Sequence, residues 1–226
     1  MRIGVLGAGN MADALAAQWA RKGHEIMIGA RAPERAVALA ARIGRGTAGG
    51  GLREAAEFGE VVLLAVWFEG IADALRAAGA ADGALAGRVL VDCTNPMEPP
   101  FERLKTGDGP SAALRVAAAA PGARVVKAFN LCHESVWRMT PPAFGGRPLG
   151  VPVCGDDAEA VAAVRALVAD LGCVPLDGGG LRRAGLLEAT AAFMVGLWVA
   201  GEDPATMIPP REYAGGDPRR TSAAAV

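Results

Sequence analysis

The chain is short of histidine and lysine, with two of the former and lysine only at positions 22, 105 and 127. Its four cysteines, Cys93, Cys132, Cys154 and Cys173, include no Cys-x-x-Cys pair. That combination leaves too few ligands in register for a metal site. A net charge of −1 removes the electrostatic case for nucleic acid or an anionic membrane surface as partner. No apolar run reaches the ~18 residues of a bilayer span. Residues 184–200 come nearest, and Glu188 interrupts them. The first residues already read as a core strand and not as a signal peptide, so a cytoplasmic protein with reduced thiols is expected. What the chain does have is apolar content, at 52% hydrophobic residues and a mean hydropathy of +0.27, enough for a sizeable core in 226 residues.

Residues 1–12 carry the most informative pattern. The run Arg2-Ile3-Gly4-Val5-Leu6 breaks into Gly7-Ala8-Gly9-Asn10-Met11-Ala12, and an alanine-rich helical pattern follows. This is the dinucleotide-binding fingerprint in its proper context of strand, glycine turn and helix. Gly7 permits the tight turn, Gly9 lets backbone approach a pyrophosphate, and Ala12 lets the helix pack close. The helix N-terminus offers free N–H groups and partial positive charge, which makes Asn10 and Met11 cofactor contacts as well.

The second strand bears on which dinucleotide binds. An NAD site places Asp or Glu at its tip to grip the ribose 2′-OH. Here the tip reads Gly29-Ala30-Arg31-Ala32-Pro33-Glu34-Arg35. Glu34 comes too late, in the first turn of the next helix. Arg31 and Arg35 lie four residues apart and can converge on one anion, a geometry suited to a 2′-phosphate. The reading is NADP(H), with Ala30, Arg31 and Arg35 at the adenosine end.

Strand and helix patterns alternate along the chain, which predicts a doubly wound parallel sheet of the Rossmann type. The expected division is a nucleotide-binding domain over 1–150, a smaller, largely helical part over 151–201 that completes an acceptor cleft, and a polar tail over 202–226. Ligands bind beyond strand C-termini in such folds. That rule selects Val66 and Trp67 after the fourth strand, Asn95 in Cys93-Thr94-Asn95-Pro96, and Asn130, Cys132 and His133 on a later loop. Lys127, inside a strand pattern, either snorkels or pairs with a carboxylate such as Asp92. His133 is a candidate general acid, though no orienting carboxylate can be assigned to it. The glycines at 178–180 are expected to line the acceptor cleft.

With those residues in view, the chain resembles the coenzyme F420-dependent NADP reductases, a group related to pyrroline-5-carboxylate reductases and to the reductase domain of the STEAP metalloreductases. The resemblance covers about residues 1–201. Its marks are the fingerprint, Gly29-Ala30-Arg31 with Arg35, Val125-Val126-Lys127-Ala128-Phe129-Asn130, Val151-Pro152-Val153-Cys154-Gly155-Asp156-Asp157, Pro175-Leu176-Asp177-Gly178-Gly179 and Leu186-Leu187-Glu188. It implies hydride transfer directly between NADPH and a deazaflavin of the F420 type, with the cofactors carrying the chemistry and the protein aligning them.

The chain departs from archaeal members of that group at Asn130-Leu131-Cys132, where they have a histidine-containing segment, and at Ala30, where they have serine. Three readings therefore stay open: a deazaflavin-linked NADP(H) oxidoreductase, an NADPH-dependent reductase of a small cyclic imine or carbonyl compound, and an NADPH-binding module without catalysis. The second needs a proton donor such as His133, Cys132 or water. The helix over Leu186 to Val199 is apolar on almost every face, so a homodimer burying it is expected. The proline- and glycine-punctuated tail is expected to be disordered or to wrap a partner.

Overall fold

The computed structural model describes residues 1–207. The greater part of the expected tail, 208–226, lies outside the described residues. The elements run β1 (Arg2–Leu6), α1 (Asn10–Arg21), β2 (Glu25–Ala30), α2 (Pro33–Ile43), β3 (Ala48–Gly51), α3 (Leu52–Phe58), β4 (Val61–Leu64), α4 (Ile71–Ala77), β5 (Val89–Asp92), α5 (Ala112–Ala119) and β6 (Arg124–Lys127). There follow α6 (Glu134–Trp137), the hairpin β7 (Ala143–Phe144) and β8 (Arg147–Pro148), then β9 (Gly150–Gly155), α7 (Ala158–Asp170), β10 (Val174–Gly179) and α8 (Ala184–Val199).

Local sequence explains most boundaries. Pro33 opens α2 in its first turn and Gly44, at φ 69°, closes it. Asp157 caps α7 by accepting the Ala160 N–H at 2.8 Å, and Ser111 caps α5 by accepting from Leu114. The glycine-rich stretch before α3 holds the short strand β3.

Eight strands form one sheet in the order β10-β9-β6-β5-β4-β1-β2-β3. Its faces carry two cores. Ile3, Val5, Leu15, Trp19, Leu63, Val91, Val126, Phe129, Trp137 and Leu167 fill one, under α1, α2, α6 and α7. Leu6, Leu64, Leu75, Leu90, Val116, Val125 and Ala184 fill the other, under α3, α4, α5 and α8. This is a doubly wound, Rossmann-like α/β fold with a C-terminal helix. Residues 151–201 add β9 and β10 to the same sheet, and α7 and α8 cover opposite faces.

The expectation of an all-parallel sheet needs one correction. β6 and β9 pair antiparallel, with Val126 opposite Gly155 and Lys127 opposite Cys154. β10 then runs parallel to β9. The C-terminal ends of these two strands therefore point away from the edge where the other six end. Gly178 sits beside Val153 and Cys154, and Gly180 beside Asp156; Gly179 pairs with Cys154, which stands opposite Lys127.

Candidate functional site

Strand register assembles the site. Leu6 pairs with Gly29 and with Leu64, Leu64 with Asp92, and Asp92 with Lys127. The loops that follow these residues emerge along one edge. They hold Gly7–Met11, Ala30–Arg35, Val66–Trp67, Cys93–Asn95 and Phe129–His133, the segments singled out by the sequence.

Gly7 has φ +128°, and a Cβ there would lie 2.2 Å from the Ala65 carbonyl oxygen, so the turn excludes a side chain. Gly9 is different. A Cβ built on it meets no protein atom within 4 Å. The protein's own packing does not demand glycine at position 9, whereas close approach of a ligand would. Gly9 is also the N-terminal cap of α1, and no side chain caps that end. Open N–H groups and helix dipole thus face an open space, an arrangement suited to an anion. Asp13, in the same turn, is neutralised. It accepts from Arg138 at 2.7 Å and pairs with Arg42 at 3.0 Å. Burial would raise its carboxyl, but the two guanidiniums outweigh that and hold it below the usual range.

Arg31 and Arg35 stand exposed at the tip of β2 and the start of α2, while Ala30 is buried beneath them. Among the described residues neither arginine pairs with a carboxylate, unlike Arg2, Arg53 and Arg76. Two uncompensated guanidiniums beside an open helix N-terminus fit a phosphorylated adenosine. Met11 and Val66 are half-buried. Trp67, with 87% of its surface exposed, presents a bare ring at the same edge.

The other end of the edge is closed. Asn95 donates to the Asn130 carbonyl at 2.7 Å, and the Asn130 amide donates to Asn95 Oδ1 at 2.9 Å and to the Leu187 carbonyl of α8 at 3.2 Å. Phe129, just before, has φ 63°, a strained conformation for a side chain of that size. Its ring is locked edge-on between Trp19 and Trp137, with centroids 5.7 and 5.4 Å away. Beneath these loops lies a buried ionic triad. Lys127 Nζ is 2.9 Å from Asp92 Oδ2, 3.0 Å from Glu188 Oε1 and 2.6 Å from the Thr94 carbonyl. All three charged side chains are fully buried. Burial would lower the Lys127 ammonium, but Asp92 and Glu188 outweigh it and hold it above the ordinary lysine value. The alternative in which Lys127 pairs with Asp92 is the one realised. Glu188 is the partner that sequence reasoning did not assign to it.

His133 is 72% exposed. Its Nδ1 accepts the Ser135 N–H at 3.3 Å, and its Nε2 lies 2.9 Å from Glu134 Oε2. A carboxylate thus does orient it, and the sequence reading missed Glu134 although it is the adjacent residue. Glu134 also accepts from Asn10 at 2.9 Å, linking the histidine to the start of α1. Cys132 packs on the core of the α1–α7 face, and burial pushes its thiol up to about 11. Burial likewise pushes the Cys93 thiol up to about 12. These are inert thiols at neutral pH. Among the described residues, no group of three or more His, Cys, Asp or Glu could hold a metal ion. No helix there is long and apolar enough to cross a membrane.

An α/β sheet with a glycine turn and an open helix N-terminus at its C-terminal edge defines a dinucleotide-binding protein of the Rossmann class. Residues 2–96, which supply most of this edge, match the family model described as NADP oxidoreductase, coenzyme F420-dependent. The resemblance read from the motifs therefore holds. The chain is 33% identical over 198 residues to metalloreductase STEAP3 of Rattus norvegicus, an alignment covering 87% of this chain and 38% of that protein. The chain thus spans well under half the length of this relative. A crystal structure from Arthrobacter sp. FB24, named provisionally as an F420-dependent NADP reductase, superposes with a TM-score of 0.75 at 29% identity, covering 88% of this chain and 95% of that one. An Aspergillus terreus reductive aminase in complex with NADPH shares the fold, with a TM-score of 0.64 at 21% identity over 88% of this chain and 62% of that one.

Proposed function

We propose that this protein is an NADP(H)-dependent oxidoreductase that exchanges hydride with a deazaflavin of the F420 type. The observation that carries the nucleotide reading is the uncompensated edge among the described residues: Gly9 with no neighbour there to exclude a Cβ, the start of α1 without a side-chain cap, and Arg31 and Arg35 without a carboxylate partner there. Gly7–Met11 would hold the pyrophosphate, Arg31 and Arg35 the 2′-phosphate, and Val66, Trp67, Asn95 and Asn130 the remainder. NADPH supplies the hydride when bound. The protein's part is alignment and exclusion of water.

The two side chains that could donate a proton favour a deazaflavin over an imine or carbonyl acceptor. His133 is exposed with its Nε2 2.9 Å from Glu134 Oε2, and burial holds the Cys132 thiol up at about 11. Hydride passing ring to ring requires neither. The exposed apolar residues of α8, Leu186, Phe193, Trp198 and Val199, support a homodimer that covers this helix. The reading places the protein in the cytoplasm, the compartment of its cofactor pool.

The test is stopped-flow mixing of NADPH-loaded protein with F420, beside a cyclic imine. Fast deazaflavin reduction, changed less than tenfold by His133→Ala, is expected. Inertness toward F420 with imine turnover that falls about 10²–10⁴-fold in His133→Ala would transfer the assignment to an imine reductase. NADPH binding without turnover of either would leave a non-catalytic module.

A further inference from the structure

We infer that Lys127 and Glu188 are positioning residues: through the buried triad with Asp92 they fix α8 against the Asn95 and Asn130 loops and so set the seat of the nicotinamide half of the nucleotide. The inference rests on the nucleotide reading above. It begins with what α8 lacks. Its buried residues besides Glu188 are Ala184, Ala191 and Ala192. Gly185 lies against the Ser111 side chain and Gly196 against that of Phe101. These fully buried residues are small, and the larger apolar side chains Leu187, Met194, Val195 and Leu197 are only half-buried. Few large knobs are fully enclosed to resist sliding or rotation, so apolar packing alone fixes the register of α8 less firmly than a face of buried large side chains would.

Directional bonds supply what the packing does not, and they cluster at two adjacent residues. The Leu187 carbonyl accepts from Asn130. Glu188 takes the Ala112 N–H on Oε2 at 2.9 Å and the Ala113 N–H on Oε1 at 3.1 Å, occupying two of the open donors of α5. Lys127 spends its three donors on three segments: Asp92 on β5, the Thr94 carbonyl on the loop beyond it, and Glu188 on α8. One ammonium thus ties two strands, a site loop and a helix together. Asn95 follows Thr94 directly, and Asn130 lies three residues beyond Lys127. A shift of the triad therefore moves both asparagines. The adenosine end has no such link, since Arg31 and Arg35 lie across β1 and β4 on the far side of the sheet order.

The test separates the two halves of the nucleotide. Affinities for 2′,5′-ADP, which carries only the adenosine half, and for NADPH are measured by calorimetry in the wild type, in Glu188→Gln, and in the charge-free triple variant Asp92→Asn, Lys127→Met, Glu188→Gln. Melting temperature is recorded for each. Expected for both variants is an unchanged affinity for 2′,5′-ADP, within twofold, and an advantage of NADPH over 2′,5′-ADP that shrinks about tenfold or more. The triple variant is expected to recover melting temperature relative to Glu188→Gln without recovering that advantage. Recovery of both together, equal weakening of both ligands, unchanged affinity for both, or failure of both variants to fold would assign the triad to folding alone and overturn the inference. A wild-type protein that binds neither nucleotide would overturn the nucleotide reading and the inference with it.

Discussion

The two ends of the strand edge are built on opposite principles. At the β1–β2 end the protein leaves groups open: a helix N-terminus without a capping side chain, a glycine with empty space beside it, two guanidiniums without carboxylates. At the β5–β6 end the charges and side-chain amides close on the protein itself: Lys127 on Asp92 and Glu188, Glu188 on two backbone donors, Asn95 on Asn130. Open groups gain partners only when a ligand arrives, so they contribute to binding and little to folding. Closed groups are already satisfied, so they contribute to shape. Under the proposed function the first end recognises the anion, and at the second the protein holds a geometry. Helix α8 belongs to both regimes, with its inner face locked at Leu187 and Glu188 and its outer apolar face exposed.

The contrast makes three measurements informative. The largest effect is expected from Lys127→Ala, which strands two buried carboxylates and should cost about 3–5 kcal/mol of stability in denaturant titration. Because the native pKa of Lys127 is raised, its contribution is fully present below the unfolded lysine value of about 10.4 and is lost only as pH rises through the higher native value. The titration of Lys127 itself should therefore add no slope to wild-type stability between about pH 6 and 9. A loss below about 1 kcal/mol would mean that the triad is solvated and that the closed end is not closed.

Next comes removal of both charges from the open end. Arg31→Gln with Arg35→Gln should leave stability within about 0.5 kcal/mol. NADPH affinity should fall roughly a hundredfold or more, since each charge-assisted contact contributes about 1.5–3 kcal/mol, with NADH little changed. Equal loss for the two nucleotides would show that these arginines hold structure, and the contrast between the ends would dissolve.

The smallest effect on the individual subunit is expected at the outer face of α8. Phe193→Ser with Trp198→Ser should convert a dimer to monomers in sedimentation at micromolar concentration while changing 2′,5′-ADP affinity less than twofold. A wild type that already sediments as a monomer would refute the dimer.

Local chemistry marks the proposed anion-binding end in the sequence itself. A tight turn needs glycine, a phosphate needs cations, and both leave marks at fixed short spacing, as at Gly7, Gly9, Arg31 and Arg35. Alternating apolar patterns located nearly every strand and helix for the same reason. The direction of β9 and β10 was not available that way, because an apolar run reads alike whichever way the strand enters the sheet. The four-residue α6 and the two-residue strands of the β7–β8 hairpin are too short to show a period. Glu134 was overlooked because its role depends on where Asn10 and His133 meet.

The amino-acid sequence fixed the class of fold and the kind of anion that the open edge suits, because those depend on residue types a few positions apart. The partner of Lys127, the reversal of the last two strands and the anchoring of α8 depend on which distant segments share the low-dielectric interior. There an unpaired charge is costly, and only packing decides which residues come close enough to satisfy it.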